Sequence, residues 1–88
     1  MPKLSRFFGI EIEIRSRETN HRLPHFHATY GDDEVSIAIG TLEVLAGKLN
    51  TRAFGLVIEW AILHRAELQQ GWIDIQAGRK PQQIKGLE

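Results

Sequence analysis

The segment His25-Phe26-His27 concentrates more chemistry than any other stretch of this chain. Residues i and i+2 of a strand point the same way, about 6.5–7 Å apart at Cα. Both imidazoles can therefore reach one ion or one phosphate. Together with Glu11 or Glu13 they would suit a divalent metal such as zinc, or the two-histidine, one-carboxylate arrangement. They also suit general acid and base, because histidine titrates near neutral pH. On the catalytic reading His25, His27 and Glu13 do the work, while Arg6, Arg15 and Arg22 hold phosphate and Glu11 shares their surface. The plain alternative is a pair of solvated strand histidines with no cofactor and no metal. If a metal binds at all, His25 and His27 are its ligands.

Three further groups invite a functional reading. His64 falls in an apolar helical stripe and reads as a buried neutral histidine bonded to backbone, since buried polar groups find partners. Phe54, Ile58 and Ile62 make a second apolar stripe on the same helix. One sheet cannot cover both stripes, so this one is expected either to meet a partner chain or second copy, or to lie under the fourth strand and the tail. Lys3, Arg6, Arg15, Arg17, Arg22 and Lys48 gather in the first half, but Glu11, Glu13, Glu18, Asp32, Asp33 and Glu34 offset them. Phosphate-loop, dinucleotide, nucleophile-elbow and zinc-helix motifs are absent from the sequence.

The elements that must position these groups read as follows. Ile10, Ile12 and Ile14 alternate with Glu11, Glu13 and Arg15, which predicts a half-buried strand over 8–15. A polar loop over 16–24 ends at Pro24. Strands follow at 25–30 and 34–39, with a turn at Asp32-Asp33, and a short fourth strand near 42–46 ends at Gly47. That turn sets Tyr30 opposite Val35, Ala28 opposite Ile37 and Phe26 opposite Ile39 on the core face. The opposite face collects His25, His27, Thr29, Ser36 and Ala38, with Glu11, Glu13 and Arg15 beside them, and is expected to stay open. Asn50 or Thr51 caps a long helix over 51–77, whose stripe of Ala53, Leu56, Val57, Trp60, His64, Leu68, Trp72 and Ile75 keeps Gly71 internal. The expected fold is α+β: an antiparallel meander of three to four strands with one long C-terminal helix on one face, and a loosely held tail over 79–88.

Composition narrows the function classes. Eighty-eight residues make one domain. Lysine plus arginine number 11 and aspartate plus glutamate 11, so no global charge draws the chain to nucleic acid or anionic membrane. Without cysteine there is no disulfide scaffold, thiolate zinc site or cysteine nucleophile. No apolar run approaches the roughly 18–20 residues of a membrane span, and the N-terminus lacks a signal-peptide core, which points to the cytoplasm.

Several segments taken together resemble one family of small bacterial proteins, domain of unknown function 4160. They are Ser5-Arg6-Phe7-Phe8-Gly9-Ile10, Pro24-His25-Phe26-His27-Ala28 with Tyr30, Leu45-Ala46-Gly47-Lys48-Leu49, and Glu59-Trp60-Ala61 with His64-Arg65 and Glu67-Leu68. Leu23 and Asn50 stand where the family often has proline. The resemblance implies a genetic context more than an activity: a toxin–antitoxin-type pair with a small partner of the family domain of unknown function 2442. On that implication the chain is one component, and the toxin on one reading, with RNA as substrate for the histidine face. The competing readings are a non-enzymatic protein-interaction module, with the partner or a second copy at Phe54, Ile58 and Ile62, and a small metal-binding protein.

Overall fold

A computed structural model describes residues 3–16 and 23–87. Five strands, β1 (Lys3–Phe7), β2 (Ile10–Glu13), β3 (His25–Tyr30), β4 (Asp33–Ala38) and β5 (Val44–Lys48), precede two helices, α1 (Thr51–Leu63) and α2 (Arg65–Gln76). The strands form one antiparallel sheet in the order β1-β2-β3-β4-β5. The α+β class and the meander agree with the sequence reading. The strand count and the single helix do not.

The extra strand is β1. A bulge between Lys3 and Ser5 breaks its alternation, so Leu4 and Phe7 both enter the core although three residues apart. A two-residue turn at Phe8-Gly9 joins β1 to β2, with φ of 48° and 79°, the sign that a tight hairpin of this twist needs. The β3–β4 turn also differs from expectation. Tyr30 faces Asp33 across Gly31-Asp32, so Ala28 lies opposite Val35 and Phe26 opposite Ile37. The register is displaced by two residues. An even displacement leaves every side chain on the face predicted for it. The fourth predicted strand becomes β5 and starts later, because Leu42 takes a φ of 62° in the connecting loop. Gly47 lies inside this strand rather than at its end. Its φ is 77°, and a Cβ there would meet the Glu34 carbonyl oxygen at 2.2 Å.

Asn50 caps α1 as expected, its side chain accepting from the Arg52 and Ala53 N–H groups at 3.0 and 3.1 Å. The predicted helix over 51–77 breaks at His64 (φ −121°, ψ 26°), whose N–H is shared between the Trp60 and Ala61 carbonyls. The inward spacing survives the break: Ala53, Val57, Trp60, Leu68, Gly71 and Ile75 are all buried. Ala53, Val57, Trp60, Leu68 and Ile75 pack in one cluster with Ile10, Ile12, Phe26, Ala28, Val35 and Ile37 of the sheet. Trp60 is its centre, with ring centroids 5.3 Å from Phe7 and 6.1 Å from Phe26. Gly71 is internal, as predicted, and meets Leu4 and Ile14 side chains.

The tail is not loosely held. Ile84 is buried and donates its N–H to the Leu4 carbonyl at 2.7 Å. The Trp60 indole N–H donates to the Lys85 carbonyl at 2.9 Å. The chain thereby lies along the outer edge of β1. Among the described residues, no helix is long and apolar enough to cross a membrane.

Candidate functional site: the charged sheet face

Strand pairing brings the predicted polar residues together on the face away from the helices. Glu13, His27 and Ser36 form one row across β2, β3 and β4, and Glu11, Thr29 and Glu34 form the next. His25 and His27 point the same way, with ring centroids 5.2 Å apart and edge-on.

Arg15 organises this surface. Its guanidinium reaches Glu13 Oε1 at 2.8 and 3.0 Å and both Glu34 oxygens at 2.8 and 3.1 Å. One cation therefore bridges β2 to β4 across the β3 histidine between them. His27 Nδ1 lies 3.1 Å from Ser36 Oγ and 3.3 Å from Glu34 Oε2. Facing a carboxylate, that nitrogen carries the proton and the Ser36 hydroxyl accepts. His25 donates from Nδ1 to the Leu23 carbonyl at 2.8 Å, and its ring centroid is 5.2 Å from that of Trp72 in α2.

The expected open face is closed over its histidines, while the Glu34 side chain on the same face stays 42% exposed. His25 is 1% and His27 4% exposed. Among the described residues, Arg15 spans from Glu13 to Glu34 on either side of His27, and the Trp72 ring of α2 packs against His25. Hydrogen bonds from Arg15 hold the Glu34 carboxyl below its ordinary pKa, with the burial of the group opposing them and the nearby His27 adding to the effect. The same pairing raises the Arg15 pKa still further. Hydrogen bonds from Lys3 and Arg6 likewise lower Glu11.

The predicted site residues thus separate into groups. His25, His27, Glu13 and Arg15 do meet, joined by Glu34 and Ser36. Glu13 is turned to Arg15 and not to an imidazole. Arg6, with Lys3, is paired with Glu11 toward the sheet edge. Arg22 lies outside the described residues. The metal reading finds no ligand set: among the described residues no three His, Cys, Asp or Glu side chains could hold a metal ion together. On α1, Phe54 and Ile58 are half-buried against the core and only Ile62 is exposed, so the predicted interface stripe is mostly internal. His64 is not buried; it stands beside Trp60 at the helix break and pairs with Glu67. Glu34 and Trp72 were missed as members of this face. Alternation within β4 could have revealed Glu34, but the bend that carries Trp72 to His25 has no signal in helical periodicity.

These features define a small α+β protein, a five-stranded meander with a helix pair on one face and, on the other, a charged network over two buried histidines. The chain belongs to the family described as domain of unknown function (DUF4160), which it matches over residues 9–73, from the first hairpin into α2. Comparison with curated proteins and with solved structures gave no match.

Proposed function

We propose that the chain is the partner-binding component of a two-protein module of toxin–antitoxin type, acting through exposed apolar side chains and not through catalysis by His25 and His27. The observation that carries this is the contrast in exposure. His25 and His27 are buried, each with its Nδ1 already in hydrogen-bond contact, whereas Phe8, Ile62 and Leu63 are 58%, 59% and 66% exposed. A general acid or base must come within hydrogen-bond reach of the proton it moves, and nothing the size of a phosphodiester can approach rings so covered. Adjacent exposed apolar side chains such as Ile62 and Leu63 mark an interaction surface.

Two parts of the surface support binding. A cleft of about 330 Å³ opens between the Phe8-Gly9 turn, Tyr30 and the start of α1 at Arg52 and Leu56. Phe8 holds a left-handed backbone there with its ring mostly in solvent, an unfavourable choice for a hairpin turn. The other part is the outward side of α1, which ends in Ile62 and Leu63.

A calorimetric titration against a purified domain of unknown function 2442 protein from the same genome tests the reading. Binding should survive His27→Asn and fail with Ile62→Asp/Leu63→Asp. In parallel, purified chain should leave a mixed RNA substrate intact. Binding lost with His27→Asn alone, or RNA cleaved by the natural chain and not by that variant, would overturn it.

A further inference from the structure

The outward ridge of α1 is complementary to itself, and we propose that a second copy of this chain docks on it with the two helices antiparallel. This rests on the interaction reading above and names one partner for it.

At about 100° per residue, Gly55 sits nearly opposite the buried stripe of Ala53, Val57 and Trp60, at the outermost point of the helix. It is exposed, and an added Cβ would meet nothing within 4 Å. Glycine at an exposed helix interior is the least favourable choice short of proline. It gains a purpose when another backbone must come close, as helices do at small residues. Around it stand Arg52, Glu59, Ile62 and Leu63, all exposed. Neither Arg52 nor Glu59 has an ion-pair partner among the described residues. They lie seven residues apart, about 10.5 Å along the axis, too far to pair within one helix.

Two-fold symmetry turns that spacing into complementarity. With the axis beside Gly55 and Leu56, Arg52 of each copy is level with Glu59 of the other, and the glycines meet at the crossing. Ile62 and Leu63 of each copy then project past the start of the other α1, beside the cleft at Phe8, Tyr30 and Arg52. Registers centred on Arg52 or on Glu59 would set like charges against each other, so charge selects this one.

Sedimentation equilibrium at low salt tests the proposal with four chains: the natural one, Arg52→Glu, Glu59→Arg, and the double exchange. The natural chain should associate to twice its mass. Each single exchange should weaken association about tenfold, because two symmetric pairs become repulsive at once. The double exchange should recover it to within about threefold, a rescue that only pairing between copies provides. Gly55→Gln should raise the melting temperature of the isolated chain while weakening association about tenfold or more. A natural chain that stays monomeric up to about 1 mM, or a double exchange no better than its parents, overturns the dimer. If such a monomer still binds the 2442-family protein through Ile62 and Leu63, the dimer alone falls. If it binds nothing, the interaction reading falls as well.

Discussion

Replacing Arg15 by Gln removes the fork that joins Glu13 to Glu34 while keeping much of the aliphatic stem over His27. Exposed ion pairs are worth about 0.2–1 kcal/mol each, and two-pronged, partly buried ones lie at the top of that range. Among the described residues Arg15 pairs with Glu13 and Glu34, but the Glu34 side chain is 42% exposed, so screening holds the sum of these two to about 1–2 kcal/mol. For a domain of this size that lowers the melting temperature by about 4–16 °C. The loss must depend on pH in one direction. Glu34 has a folded pKa below its ordinary value of 4.5, chiefly through its hydrogen bonds with Arg15. Its contribution is therefore complete above about 4.5 and disappears as pH falls through the lower, folded value. Urea unfolding of both chains should show the full gap near neutral pH and a gap that narrows as pH falls below about 4.5. A gap that stays constant on acidification, or no gap at neutral pH, would refute the role given to Arg15.

Two further outcomes follow from the packing. Gly47→Ala should cost about 2–3 kcal/mol through left-handed strain and the collision with the Glu34 carbonyl, whereas Gly31→Ala in the open turn should cost about 1 kcal/mol; thermal unfolding distinguishes them. A chain ending at Gly78 loses the buried Ile84 and the Lys85 carbonyl that accepts from Trp60. It should be less stable by about 2–4 kcal/mol, with altered Trp60 fluorescence; unchanged stability would mean that the tail is not bound in solution.

Alternation along β2, β3 and β4 was enough to assign every side chain to a face. That assignment tolerated a two-residue error in register, because strand periodicity is two. It was not enough to find β1, where the bulge at Lys3–Ser5 hides the alternation, nor the helix break at His64, across which the apolar spacing continues unchanged. The side on which His25 and His27 stand agrees with the alternation, but both are buried where the alternation alone leaves them open. Periodicity reports which way a side chain points, not how far a neighbouring arginine reaches or where a bent helix delivers a tryptophan. The α1 stripe differs from expectation in its burial for a related reason. Phe54 and Ile58 were set apart by angle alone, but the core is wide enough to take them half-buried, and only Ile62 is left outside.

The amide NMR spectrum of the isotope-labelled chain, followed as unlabelled chain or the 2442-family protein is added, tests the central claim most directly. Binding through the apolar surface predicts shifts at Gly55, Glu59, Ile62 and Leu63, extending to Phe8 and Tyr30, with His25, His27 and Ser36 undisturbed. Shifts confined to His25, His27 and Ser36, with α1 silent, would contradict it and return function to the sealed histidine face.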